Sequence, residues 1–282
     1  MDKRILILTD FSKEALNAAR YALNLYADRK AIFYFLNAYH SANYSTDSHI
    51  YNPSGLRSYD VKEPKTEERF KDLMYLLGPQ IKGPKHNFHT ITANNTLLEA
   101  VNEIVAKNDI DIIIMGAKGM TSSRTVVFGM NTIDIMENIS ACPVLAVPED
   151  VLFSSPKKIV FPTNYKTPFK RRELKYLMSI AQMHHADIEV LHVRESDRLN
   201  AVQQNNKELL ATIFKDIGHS FHEFENMTVF EGINSFIDNR ESDMIAFINQ
   251  KRNFFSRMMS KPLAQKLGYQ SRVPVLVLRH RV

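Results

Sequence analysis

The chain has 282 residues, of which 44% are hydrophobic and 24% are charged, and its formal net charge is +5. This composition is typical of a globular protein and excludes a disordered chain, a collagen and a coiled-coil rod. The single cysteine, Cys142, excludes an intramolecular disulfide and a multi-cysteine metal site. The first residues lack the apolar core of a signal peptide, and no run approaches the roughly 18 apolar residues of a membrane span. We therefore expect a cytoplasmic protein without a membrane partner.

The positive charge belongs to one end of the chain. Residues 1–150 contain 16 basic and 18 acidic residues, whereas residues 151–282 contain 20 basic and 13 acidic residues. The densest basic stretch covers residues 166–175, and Phe254 and Phe255 lie among other basic residues. A nucleic-acid platform combines such charge with exposed aromatic residues, but a solvated helix face and two core phenylalanines explain the pattern more simply. Binding of RNA or DNA is the less favoured reading, and it predicts a steep salt dependence.

Short apolar runs alternate with helical stripes along the first 150 residues. Residues 5–8, 33–38, 110–115 and 142–147 are short and β-rich, as strands buried on both faces are. Residues 13–27, 66–77 and 97–105 carry apolar positions at helical spacing, and Asn94 or Thr96 is the expected N-cap of the last helix. Residues 41–65 are polar, contain Pro53, Gly55 and Pro64, and predict a long loop.

The second part of the chain repeats the first. Five blocks recur in the same order: residues 5–10, 33–38, 86–89, 111–115 and 142–147 match residues 159–164, 188–193, 219–222, 243–247 and 273–278. Alternating strands and helices predict an α/β fold, here two tandem doubly wound parallel sheets of five strands each. We expect domains at residues 1–150 and 156–282, with their boundary in the proline-containing stretch 148–156.

Three of the nine glycines cluster directly after one predicted strand. Gly116, Gly119 and Gly129 follow residues 111–115 and precede a helix. A glycine-rich loop lets backbone N–H groups approach phosphate oxygens, and the next helix presents its positive end. Further donors in this window are Lys118, Ser122, Ser123 and Arg124. Phosphate binding is favoured over a simple turn, although the loop matches neither the P-loop nor the Gly-x-Gly-x-x-Gly fingerprint.

The spacing of Gly116, Gly119 and Gly129 resembles the nucleotide-binding signature of the universal stress protein family, Gly-x2-Gly-x9-Gly-Ser/Thr. Asp10 after the first strand, Ala38 at the end of the second and the run 142–147 also match the family's layout. The resemblance covers nearly the whole chain as two tandem copies. It implies a Rossmann-like fold of the adenine nucleotide alpha hydrolase type and a regulatory module of the stress response that binds ATP or AMP, with or without Mg²⁺. It implies no dedicated enzyme, and leaves weak ATP hydrolysis open.

The resemblance assigns residues of the first copy to a nucleotide. Thr9 and Asp10 correspond to contacts with adenine and ribose, and Ala38 to a small residue that lines adenine. Ribose and phosphates correspond to Met115, Gly116, Gly119, Gly129, Asn131 and Thr132. Met130 departs from the family, because a thioether cannot replace the hydroxyl donor of Ser or Thr. One lost hydrogen bond to a charged group costs about 1.5–3 kcal/mol, so we expect weak or altered binding.

The second copy lacks the loop. Residues 248–257 take its place, no glycine occurs between Gly232 and Gly268, and Asn164 replaces Asp10. We therefore expect no ATP binding there, and a role in packing or in contact with a protein partner. In the family the last strand, here residues 144–147 and 275–278, forms the pairing edge. The resemblance therefore implies that the two copies pair within the chain and that the chain dimerises again.

The remaining reactive residues form no recognisable catalytic or metal pattern. His86 with His89 and His219 with His222 occupy equivalent repeat positions, which favours an ordinary strand feature over a metal site. Cys142 precedes a proline at a predicted strand and is expected to be a packed thiol. We expect no catalytic residues and no metal. The alternative to a nucleotide-binding protein is a nucleotide-free interaction or scaffold protein of the same fold, in which Met130 marks a decayed site.

Overall fold

The computed structural model describes residues 2–39, 63–81, 86–118, 128–194, 198–249 and 272–279. The first half of the chain, residues 1–150, contains β1 (Lys3–Leu8), α1 (Lys13–Leu25), β2 (Ala31–Ala38), α2 (Glu63–Leu77), a short 3-10 helix (Gly78–Gln80), β3 (His86–Ala93), α3 (Leu97–Asn108), β4 (Ile112–Gly116), α4 (Met130–Asn138) and β5 (Val144–Val147). Strand and helix alternate as predicted. Most of the predicted loop 41–65 lies outside the described residues.

The described part of the second half, residues 156–282, follows the same alternation of strand and helix as far as β9. It contains β6 (Lys158–Pro162), α5 (Arg171–His184), β7 (Asp187–Arg194), α6 (Ala201–Phe214), β8 (His219–Glu225), α7 (Val229–Arg240), β9 (Met244–Asn249) and β10 (Val275–Arg279). Residues 250–271, between β9 and β10, lie outside the described part of the chain.

Equivalent helices of the two halves begin with the same local device. At α3 the Thr96 hydroxyl accepts from the Glu99 backbone N–H, while the Glu99 carboxylate accepts from the backbone N–H of Thr96. At α7 Thr228 and Glu231 form the same capping box. Such reciprocal bonds satisfy backbone donors that the first helical turn leaves unpaired. Thr96, rather than Asn94, is therefore the N-cap of α3.

All ten described strands form one sheet, in the order β3-β2-β1-β4-β5-β10-β9-β6-β7-β8. Every neighbouring pair is parallel except β5 and β10, which are antiparallel. Each half is thus a doubly wound parallel sheet of five strands, as predicted. In each half the strand order reverses beside the first strand, so β1 lies between β2 and β4.

The two halves join through their last strands. Leu145 of β5 pairs with Leu276 of β10, and both side chains are fully buried. Helices pack on both faces of the sheet, and each apolar cluster contains residues of both halves. Across the junction, His184 Nε2 lies 2.9 Å from the Leu25 carbonyl oxygen. This confirms the expectation that the final strands pair the two copies within the chain.

Candidate functional site

The predicted site residues that the structure describes lie at one edge of the first half, where its parallel strands end. We call this the carboxyl edge. Thr9 and Asp10 follow β1, Ala38 ends β2, and Gly116 ends β4, preceded by Met115. Because β1 is hydrogen-bonded to both β2 and β4, these ends are neighbours. The point at which strand order reverses leaves a crevice at the carboxyl edge, and ligands of open α/β sheets bind there.

A tight turn holds Asp10 at this edge. The Thr9 hydroxyl accepts from the Phe11 backbone N–H at 3.0 Å, and Asp10 Oδ1 accepts from the Ser12 N–H at 3.0 Å. Phe11 has a φ of 63°, a left-handed conformation that is uncommon for a bulky side chain. Arg69 of α2 donates to the Asp10 carbonyl at 3.2 Å. Hydrogen bonds within the turn and from a distant helix therefore fix the carboxylate's position.

The second half builds the same turn with an amide in place of the carboxylate. Asn164 Oδ1 accepts from the Lys166 N–H at 3.0 Å, the Thr163 hydroxyl accepts from the Tyr165 N–H at 3.1 Å, and Tyr165 has a φ of 53°. Gln203 of α6 donates to the Asn164 carbonyl at 2.8 Å, as Arg69 does to Asp10. Because Asn164 supports this turn, the fold does not require the negative charge of Asp10.

Gly116 is enclosed by the start of α1. A Cβ at this position would lie 2.9 Å from the Lys118 carbonyl oxygen and 3.2 Å from the Glu14 backbone carbonyl carbon. A side chain here would force the Lys118 carbonyl to shift and would press tightly against α1, so packing as well as ligand approach favours glycine at this position. The sequence pattern attributed this glycine to ligand approach, and the structure adds a packing reason.

The first turn of α4 faces the same edge. Its N-cap, Gly129, has extended backbone angles and, as a glycine, offers no side chain to cap the helix. The side chains of Met130 and Asn131 are exposed, Met130 to 88%. The first N–H groups of an α-helix have no partner within the helix and point along its axis. The backbone N–H groups of residues 130–132 are therefore the donors that α4 presents.

The Thr132 side chain turns inward. Its hydroxyl donates to the Gly116 carbonyl oxygen at 3.1 Å, and the residue is 2% exposed. This hydrogen bond joins the first turn of α4 to the end of β4. It is a packing contact and differs from the phosphate contact implied by the resemblance. Gly119 and residues Ser122, Ser123 and Arg124 lie outside the described residues.

Two supporting side chains carried no sequence signal. Asn37 Nδ2 donates to the Thr9 carbonyl at 2.8 Å, and the Arg69 guanidinium lies 4.3 Å from the centre of the Phe11 ring. An asparagine near a strand end and an arginine in an amphipathic helix are common in proteins, so neither residue stands out in the sequence. Only the folded arrangement identifies them as supports of the β1–α1 turn.

The second half has different residues at its own carboxyl edge. Ile248 aligns with Gly116 and is 9% exposed, within the apolar cluster on the α5 face of the sheet. Tyr165 is fully buried, and burial raises the pKa of its hydroxyl above the ordinary range. The predicted replacement of the loop, residues 248–257, lies outside the described residues except for Ile248 and Asn249.

Cys142 and the paired histidines occupy structural positions. Cys142 is buried, His86 Nε2 lies 3.2 Å from the Tyr26 carbonyl oxygen, and His89 stacks on Tyr34 with ring centres 5.1 Å apart. His219 Nδ1 lies 2.9 Å from the Ile217 carbonyl oxygen. Within the part of the chain that the structure describes, no three His, Cys, Asp or Glu side chains gather as metal ligands. Nor does any described helix have the length and apolar character to cross a bilayer.

Comparison with solved structures finds the same fold along the whole chain. A universal stress protein from Archaeoglobus fulgidus matches with a TM-score of 0.67 and 14% identity, covering 98% of each chain. A candidate universal stress protein from Pseudomonas aeruginosa matches with a TM-score of 0.59 and 15% identity, covering 99% of this chain and 93% of its own. The cytoplasmic domain of a prokaryotic cation chloride cotransporter matches with a TM-score of 0.56 and 10% identity, covering 99% and 95%.

Comparison of the sequence with models of protein families identifies the family. No curated protein matches the chain significantly. The model of the universal stress protein family matches residues 1–148, more than half of the chain and the half that carries the glycines. The tandem fold agrees with that match, since the solved structures extend it over both halves. The chain therefore belongs to the universal stress protein family, as a member with two tandem domains.

Proposed function

We propose that the first half of the chain binds an adenine nucleotide, ATP or AMP, at its carboxyl edge, and that the protein is a nucleotide-responsive regulatory module. The observation that carries the proposal is the contrast between equivalent turns. The turn after β1 carries a carboxylate, Asp10, that the equivalent turn at Asn164 does without. A carboxylate at a turn that an amide also supports is the pattern expected where a ligand recognises the negative charge.

The phosphates are proposed to bind at the first turn of α4. Its first N–H groups, which have no partner within the helix, and its positive end suit an anion, and the glycine N-cap has no side chain that competes for these donors. The Thr132 hydroxyl proton already serves the Gly116 carbonyl, so the donors are backbone N–H groups. Met130 adds no hydroxyl, and we therefore propose weak binding. Mg²⁺ would enter with the phosphates of ATP.

The nucleoside is proposed to lie over the ends of β1 and β2. A carboxylate has about four acceptor positions, so Asp10 can accept from Ser12 and from a ribose hydroxyl together. Ala38 is small and partly exposed at the end of β2, next to the Thr9 turn. A small apolar side chain there leaves room for the flat face of adenine.

A nucleotide-free scaffold is the second candidate, and two observations favour it. Gly116 has a packing reason to be glycine, and the Thr132 hydroxyl is engaged within the protein. In that case the two halves serve protein contacts alone. Cytoplasmic location, a further homodimer and the absence of a dedicated enzymatic activity are parts of the main proposal.

The test is calorimetric titration of the full chain with ATP and Mg²⁺ and separately with AMP. Saturable binding in the micromolar to millimolar range is expected, and mass spectrometry of the purified protein should detect retained nucleotide. No saturable heat up to millimolar nucleotide would favour the scaffold.

Asp10→Ala should weaken nucleotide binding about tenfold or more, because it removes a charged acceptor of ligand hydroxyls. Asn164→Ala is the matched control, since it removes the same turn bond from the second half. Both variants should lose similar thermal stability, but only Asp10→Ala should change the dissociation constant. Equal affinities for the two variants would contradict the placement of the ribose.

A further inference from the structure

The last residue of β10 carries a buried cation that reaches into the first half. Arg279 is 8% exposed, its NH2 group donates to the Ile135 carbonyl oxygen at 3.1 Å, and its Nε donates to the Cys142 carbonyl oxygen at 3.3 Å. No carboxylate among the described residues pairs with it. Burial lowers the pKa of Arg279 to about 10, so the guanidinium keeps its charge at neutral pH.

A second residue of the same half bonds the same helix. Asn249, at the end of β9, donates from Nδ2 to the Met136 carbonyl oxygen at 3.1 Å. Ile135 and Met136 lie in the C-terminal part of α4, and Cys142 lies in the segment between α4 and β5. The carbonyl end of a helix carries partial negative charge and is stabilised by a nearby cation. Two adjacent strand ends of the second half therefore hold the C-terminal part of α4.

Among the described residues, the equivalent strand position of the first half makes no contact of this kind. The repeat alignment places Pro148 where the second half has Arg279, and a proline has no side-chain donor. Pro148 instead accepts from Asn17 of α1 through its carbonyl, at 3.0 Å. The asymmetry matters because α4 is the helix whose first turn forms the proposed phosphate site.

We propose that Arg279 and Asn249 of the second half position α4, and through it control the nucleotide affinity of the first half. The inference rests on the proposed function for its effect on affinity, whereas the positioning of α4 stands on the contacts alone. α4 has nine residues, and at 1.5 Å per residue its two ends are about 13 Å apart. A rigid helix of this length transmits a tilt at its C-terminal end to its first turn. The second half, whose sequence lacks the glycine loop, thus regulates nucleotide binding by the first half.

The test uses the full chain with three substitutions. Arg279→Met removes both donors at similar side-chain size, Arg279→Lys keeps the charge, and Asn249→Ala removes one neutral hydrogen bond. His184→Leu is the control, because it also breaks a bond between the halves, to the Leu25 carbonyl, without touching α4. Hydrogen exchange of the amides of α4 is measured without ligand and compared with that of α3. ATP affinity is then measured by calorimetry.

Arg279→Met should speed exchange in α4 but not in α3 and weaken ATP binding by about fivefold or more, a usual size for coupling between sites. Arg279→Lys should restore part of both effects, and His184→Leu should show neither. Unchanged exchange in α4 would overturn the proposal, as would faster exchange with unchanged affinity. If Arg279→Met does not fold, Asn249→Ala decides by the same two criteria. If the wild-type chain binds no nucleotide, the proposed function and the affinity effect fail together, while exchange still decides whether Arg279 positions α4.

Discussion

Asp10 and Asn164 show how one residue distinguishes two equivalent turns. Each accepts from a backbone N–H two residues later, at the same 3.0 Å. Each precedes an aromatic residue with positive φ, Phe11 or Tyr165. A carboxylate and an amide thus serve the turn equally well, so the turn by itself does not explain why the first half has the charged residue.

Gly116 is tightly packed, and it is also a residue that the sequence assigned to ligand approach. Gly116→Ala should lower the free energy of unfolding by about 1–3 kcal/mol, as overpacking of a filled site does. The cause is the approach of the new methyl group to the Lys118 carbonyl and the Glu14 backbone. Chemical denaturation of the full chain measures the change.

Gly78→Ala is the matched control for that substitution. A Cβ at Gly78 meets no atom within 4 Å, so the free energy of unfolding should change by less than about 0.5 kcal/mol. Equal stability of the two variants would show that α1 can move away from β4 at little cost.

At the scale of an element, α4 is held at both ends by other parts of the chain. Thr132 in its first turn bonds the end of β4, and Arg279 and Asn249 bond its C-terminal part. Its N-cap is a glycine, whereas α3 and α7 have capping boxes built on Thr96 and Thr228. No N-cap side chain therefore accepts a hydrogen bond from the first N–H groups of α4, in contrast to α3 and α7.

Met130→Ser should tighten ATP binding about tenfold, because a hydroxyl can donate to a charged phosphate where a thioether cannot. Met130 is 88% exposed, so its removal should cost little packing. Calorimetry with ATP and Mg²⁺ measures the change.

Val229→Ser is a control at the first residue of α7, which has no proposed ligand. It should leave the dissociation constant unchanged. An unchanged constant for Met130→Ser as well would show that this residue does not correspond to the family's hydroxyl position.

At the scale of the whole molecule, the antiparallel pairing of β5 with β10 makes one sheet from two copies. Val144, Leu145, Ala146 and Val147 are fully buried, and Leu276 and Val277 of the partner strand are also fully buried. An edge strand with unpaired backbone groups readily pairs with another chain. The second half therefore covers an edge that would otherwise be open.

Residues 1–150 produced alone should self-associate, because β5 loses β10 and a second β5 of similar sequence can replace it. Analytical ultracentrifugation over a range of concentrations should show a dimer that dissociates on dilution. The full chain, measured alongside, keeps β5 paired within the molecule. A stable monomer of residues 1–150 at high concentration would contradict this role of β10.

Much of the fold followed from the sequence because it depends on local and periodic patterns. The block repeat predicted the alternation of strand and helix, and the resemblance assigned the residues after β1, β2 and β4 to one nucleotide. They lie at one edge of the sheet because parallel strands end together. The role of Thr132 was not predictable. A threonine in the first turn of a helix offers its hydroxyl to solvent or to the protein interior with equal ease, and only its contact with Gly116 decides.

The sequence by itself determined the family, the tandem α/β fold and the half that carries the glycine loop, since repeats, periodicity and glycine spacing are properties of the chain. The tertiary structure alone decided that Asn37 and Arg69 support the Asp10 turn, that Gly116 is enclosed by α1, and that the second half holds α4 through Arg279 and Asn249. These contacts join residues far apart in sequence. A local sequence pattern cannot predict these contacts, because they form only when distant strands and helices pack together.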